Sequence, residues 1–107
     1  MSEPNEIDIN SLHAIVLRET ESDSIQEMDP NFYRNLSDFI GNLKRQEFDG
    51  IESKIKQSLI DMASELTSLL LHNRLEKTIR SENIDFTNLL DEEKFILDAE
   101  EQKIERL

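Results

Sequence analysis

The feature that most constrains the fold is a run of apolar residues at helical spacing in the middle of the chain. Ile51, Ile55, Leu59, Met62, Leu66 and Leu69 follow one another at intervals of 4, 4, 3, 4 and 3, a mean of 3.6 residues. That is the period of an α-helix. Leu70, Asn73, Lys77 and Arg80 continue the track with mostly polar side chains. The spacing predicts one helix over residues 50–81, roughly 45 Å long at 1.5 Å per residue. A single domain of 107 residues is narrower than that. One end of the helix must project or be covered by another chain.

Three shorter helices are expected around it. Ile7, Ile9, Leu12, Ile15 and Val16 mark a helix over residues 7–18, with Asp8 or Asn10 as its cap. Glu19 to Glu27 reads as an acidic loop, from which Ile25 and Met28 return to the core. Asp29-Pro30-Asn31-Phe32 starts a second helix, over residues 30–46, that carries Phe32, Leu36, Phe39, Ile40 and Leu43 on one face. Phe48-Asp49-Gly50 is a break. Asn83 to Leu90 reads as a loop pinned by Ile84 and Phe86. A last helix, over residues 91–102, opens with Glu92 and Glu93 in its first turn, where the helix dipole favours acids. The fold expected is all-α: a four-helix, bundle-like domain with one long central helix, its core formed by Leu12, Ile15, Phe32, Leu36, Phe39, Ile40, Ile55, Leu59, Met62 and Leu66. Residues 1–102 make that domain, and residues 103–107 read as the start of a linker or tail.

Composition closes off most chemistries. The absence of Cys excludes a disulfide scaffold, a thiolate metal site and a cysteine nucleophile. Two glycines cannot build a phosphate-cradling loop. His13 and His72 lie on different helices, without metal-ligand spacing. Glu92 and Glu93 point about 100° apart on a helix and make no shared-proton pair. No catalytic, cofactor-binding or metal-binding residue is assigned, and no enzyme activity is expected. No transmembrane run or signal peptide is evident, so a soluble intracellular protein is expected.

The net charge of −12 is concentrated at the ends: residues 1–31 hold eight acids and one base, residues 81–107 nine acids and three bases, and residues 32–80 seven acids and eight bases. This balance disfavours nucleic acid and anionic membrane as strong partners. Two features stand out as recognition surfaces. Arg74, Lys77 and Arg80 recur toward the C-terminal end of the long helix, where they complement its dipole or meet an acidic or phosphate group. Tyr33 is offset from the apolar stripe that Phe32 follows, at a boundary or an interface. With Leu66, Leu69, Leu70 and Asn73, these residues form the expected partner interface: Tyr33, Leu66, Leu69, Leu70, Asn73, Arg74, Lys77 and Arg80.

The order of three segments resembles the helical domain of the GINS DNA-replication complex, in the archaeal subunit type that carries this domain first. The first helix, Leu12-His13-Ala14-Ile15-Val16-Leu17-Arg18-Glu19, runs through an acidic turn to Met28-Asp29-Pro30-Asn31-Phe32-Tyr33. The long helix ends in His72-Asn73-Arg74-Leu75-Glu76-Lys77-Thr78-Ile79-Arg80. After a loop, Asn88-Leu89-Leu90-Asp91-Glu92-Glu93 is similar to the family's Asn-Leu-Thr-Pro-Glu-Glu helix start, with Asp91 at the usual Thr and Glu92 at the frequent Pro. The small β-rich domain typical of these subunits has no counterpart in the chain.

The resemblance implies a non-catalytic scaffold. It would associate through its helical domain into a homo- or hetero-tetramer with other GINS subunits, and link the MCM helicase to a RecJ-like partner at a cytoplasmic, nucleoid-associated replisome. The alternative that composition and periodicity allow is a generic acidic helical adaptor forming a homo-oligomeric bundle.

Overall fold

A computed structural model of the chain describes residues 7–47, 50–80 and 86–105; the side chains of residue 86 and of residues 100–105 lie outside that description. The described residues form four α-helices and no strand: α1 (Ile9–Glu21), α2 (Phe32–Arg45), α3 (Ile51–Arg80) and α4 (Asp91–Glu105), with a short 3-10 helix at Phe86–Asn88. The all-α architecture with one long central helix is as the periodicity implies. Ile84, Phe48 and Asp49 lie outside the described residues, as does the Phe86 side chain.

Local chemistry sets the helix starts. Asp8 caps α1: its carboxylate accepts the Ser11 amide at 2.7 Å while the Ser11 hydroxyl accepts the Asp8 amide at 2.9 Å. α1 ends at Glu21, three residues beyond the predicted end, so part of the expected acidic loop is helical. Asp29 accepts the Asn31 amide at 2.8 Å, as a cap would. The Pro30-Asn31 pair nevertheless forms a turn, and α2 begins at Phe32. Gly50 takes φ 61°, a left-handed conformation that suits glycine, immediately before α3. α4 continues to Glu105, with no break at residue 102.

The long helix is rotated relative to the sequence-based expectation. Its buried residues are Ile60, Ala63, Leu70 and Arg74, on a face about 100° round from the Ile51–Leu69 track. Ile51 is 76 % exposed, Ile55 55 %, Met62 46 % and Leu69 53 %. Ile55 and Met62 are therefore not core residues, and Leu59 and Leu66, between the two faces, are half-buried. The other expected core positions hold: Leu12, Phe32 and Leu36 are buried, with Ile15, Phe39 and Ile40 packed at the margin. Ile7, Val16, Ala63, Leu70 and Leu90 complete the cluster. α1 and α2 both pack on the buried face of α3.

Truncation should separate the two faces. Leu12→Ala, at a side chain with 0 % exposure, is expected to cost about 2–5 kcal/mol. Ile55→Ala should change stability by no more than about 0.5 kcal/mol. Urea midpoints measured at unchanged slope would check both; equal losses at the two positions would contradict the rotation described.

Candidate functional site

The interior of the C-terminal half of α3 is ionic. Arg74, Glu19 and Glu93 each have 0 % exposure. A guanidinium carries five N–H donors, and each of those of Arg74 meets an acceptor. Its Nε donates to Glu93 Oε2 at 2.5 Å and Nη2 to Glu93 Oε1 at 3.0 Å, a two-pronged pairing. Nη1 donates to Glu19 Oε1 and to the Gln26 carbonyl, both at 2.9 Å. Nη2 also donates to the Asn88 carbonyl at 2.7 Å.

The two carboxylates are saturated from other sides. The Tyr33 hydroxyl donates to Glu93 Oε2 at 2.8 Å, and the Leu90 amide donates to Glu93 Oε1 at 2.8 Å. Leu90 precedes α4, so Glu93 also ties down the start of its own helix in the manner of a capping box. Lys77 donates to Glu19 Oε2, and to the Glu19 and Ser24 carbonyls at 2.7 and 2.8 Å. Asn88 donates to the Ile25 carbonyl at 2.9 Å and Gln26 to the Ile15 carbonyl at 2.8 Å. Among the described residues no buried side-chain polar atom lacks a partner.

Charge and hydrogen bonding bias the protonation states. Burial alone would raise the Glu19 carboxyl, but hydrogen bonds involving Lys77, Gln26 and Arg74, with the Arg74 charge, hold it below the usual carboxylate range. Burial would lower Arg74, yet its bonds to Glu93 and Glu19 and their charges hold it above its ordinary value. The Tyr33 phenol is pushed up by burial and by the neighbouring Glu93 carboxylate. Each shift favours the charge state the group already holds near neutrality: an ionised Glu19, a protonated Arg74 and a neutral Tyr33.

This geometry corrects part of the expected partner interface. Arg74 and Leu70 are fully buried inside the chain, and Lys77 is turned inward to Glu19. Arg80 is exposed and pairs with Glu76 on its own helix. The basic cluster of Arg74, Lys77 and Arg80 is thus no continuous surface, and the phosphate-contact reading loses its basis. Tyr33 and Asn73 are half-buried, with the Tyr33 hydroxyl committed to Glu93. Leu69 remains on the outward side, whereas Leu66 is half-buried and packs against the core.

The structure brings together Tyr33, Arg74 and Lys77 from the expected set and adds Glu19, Glu93, Gln26 and Asn88. The signal for the buried face was Ile60, Ala63, Thr67, Leu70, Arg74 and Lys77 at intervals of 3, 4, 3, 4 and 3; half of these residues are polar, which hid it. Among the described residues no group of three or more His, Cys, Asp or Glu side chains is arranged to hold a metal ion. No helix there is long and apolar enough to cross a membrane. Compared with known proteins, the chain matches no family model, no curated protein and no solved structure at a significant level.

Removing one partner of a buried ion pair strands the other, so Arg74→Ala is expected to cost about 3–5 kcal/mol. A loss below about 1 kcal/mol in denaturant titration would show that the network is not buried. Acid should act on the same network. Glu19 titrates lower in the folded chain than in the unfolded one, so the unfolded state takes up its proton first. The stability this carboxylate provides is complete above its unfolded value, near 4.3, and is lost as pH falls through the lower folded value. Melting temperatures between pH 7 and pH 3 should therefore fall less steeply in Glu19→Gln, from a lower start, than in the unmodified chain.

Proposed function

We propose that this chain is a non-catalytic scaffold, the helical domain of a GINS-type replication subunit, which associates with other helical subunits through the exposed stripe of α3. The observation that carries this reading is the convergence of the resembling segments on one network. Glu19 comes from the first, Tyr33 from the aromatic pair, Arg74 and Lys77 from the basic end of the long helix, and Asn88, Leu90 and Glu93 from the last. Motifs scattered over 75 positions of sequence (19 to 93) thus form one physical unit, so their order has a structural reason.

The stripe supplies the means of association. Ile51, Ile55, Met62 and Leu69 expose large apolar surfaces in a line along one helix, and such contiguous patches mark protein contacts more often than isolated ones do. In the assembly that the resemblance implies, the chain would sit among other GINS subunits and help join the MCM helicase to a RecJ-like partner. The acidic surface would keep it off the DNA itself. The stripe also suits a homo-oligomeric acidic adaptor unrelated to replication, and the partner decides between the two.

The test is assembly with a second GINS subunit, followed by sedimentation equilibrium. The unmodified chain should gain the mass of the partner subunit. Leu69→Glu should abolish that gain while leaving helix content unchanged, since Leu69 is outside the core. Leu70 is unsuitable for this purpose, because a charge there would unfold the interior. A well-folded chain that gains no mass at high micromolar concentration would overturn the replication reading.

A further inference from the structure

The stripe on α3 runs from Ile51 to Leu69, 19 residues spanning about 27 Å. Half-buried Leu59 and Leu66 flank it on the side that faces the body of the protein. On the opposite, solvent-facing edge stand Lys54, Asp61 and Glu65. Asp61 is engaged by Gln57 of the same helix at 3.0 Å. Lys54 and Glu65 have no side-chain partner among the described residues. The stripe therefore has a free positive charge near its beginning and a free negative charge near its end, both on one edge.

We propose that the occupant of this stripe is a second copy of the chain, with two α3 helices packed antiparallel about a two-fold axis near residue 60. The inference rests on the reading above that the stripe is an interface, and it commits the occupant to a second copy in a stated direction and register; a different subunit that uses the stripe must displace that copy. Reversal about residue 60 sets Ile51 opposite Leu69, Met62 opposite the Ser58–Leu59 step, and Ile55 opposite the Glu65–Leu66 step. A two-fold axis normal to the plane of the two helices keeps each edge facing its own equivalent. Lys54 of each copy then meets Glu65 of the other, twice per dimer, against a single approach of Asp61 to Asp61 near the axis, where Asp61 stands farthest round from the stripe of the three.

A parallel pairing, with its two-fold along the helix direction, would instead turn this edge of one copy toward the Leu59–Leu66 edge of the other and leave Lys54 and Glu65 without each other. Exposed pairs of this kind add little affinity, but they choose between orientations, because only the antiparallel one brings these opposite charges together. α1 and α2 pack on the other face, about 100° away, and leave the stripe open. A two-helix seam of this length is smaller than a standard interface, so the dimer expected is a micromolar one.

The absence of cysteine from the chain makes the register directly testable. Ile51→Cys and Leu69→Cys, prepared separately in the full chain, should form little disulfide alone and a mixed disulfide when combined and oxidised. Disulfides formed by each variant alone, without the mixed product, would overturn the antiparallel register. Lys54→Glu and Glu65→Lys should each raise the dimer Kd about tenfold, and the double exchange should restore it. Failure of the double exchange to restore dimerisation would also count against the pairing. A chain that remains monomeric in sedimentation yet binds another GINS subunit would overturn self-pairing and leave the proposed function standing. A dimer with the mixed disulfide that binds no such subunit would uphold self-pairing and overturn the replication reading.

Discussion

A guanidinium placed in an apolar interior must be met by carboxylates and carbonyls on every side, and Arg74 imposes that demand on the rest of the chain. Its five donors reach the end of α1, the loop after it, the turn before α4 and the first turn of α4. None of these elements can shift by a turn without stranding a charge. The energetic consequence is asymmetric. A complete ion network contributes little net stability over an apolar core of the same shape, whereas a broken one is costly. The network therefore acts on arrangement: it penalises every packing of the four helices in which Glu19, Glu93 and Arg74 do not meet. The small apolar cluster of α1, α2 and α3 supplies the burial that drives folding, and the ions determine where the helices end.

The same network reshapes the electrostatics. Glu19 and Glu93 come from the acidic ends of the chain, Arg74 and Lys77 from its nearly neutral middle. Their four charges sum to zero, so this buried network takes no share of the net charge of −12. Two of the eight bases of the middle segment are spent inside, and Arg80 is paired with Glu76. A feature that looks like a basic recognition patch in sequence is, in three dimensions, largely the counter-charge of buried acids.

The helical architecture was legible because apolar spacing, capping residues and the scarcity of glycine and proline all report on local structure. The long helix shows where that legibility stops. It carries two stripes about 100° apart, and the cleaner of the two, Ile51 to Leu69, faces outward. Periodicity identifies a face; it does not say what covers it. The true interior face contains Thr67, Arg74 and Lys77, which look like solvent residues until their partners are known. Those partners lie 55 positions away for Glu19 and 19 for Glu93, a pairing that no local pattern encodes.

An inverted helix of this kind bears on how the chain avoids aggregation. Four large apolar side chains exposed in a single stripe would be a liability in most small domains. Here two properties limit the danger. The stripe lies on a helix, whose backbone hydrogen bonds are internally satisfied, so it offers no open strand edge on which a sheet could grow. The chain as a whole carries a net charge of −12, so two copies repel one another at long range. Apolar surface supplies the attraction, general like charge raises its threshold, and one local pair of opposite charges lowers it for a single orientation. A stripe built this way favours a defined neighbour over indiscriminate collapse.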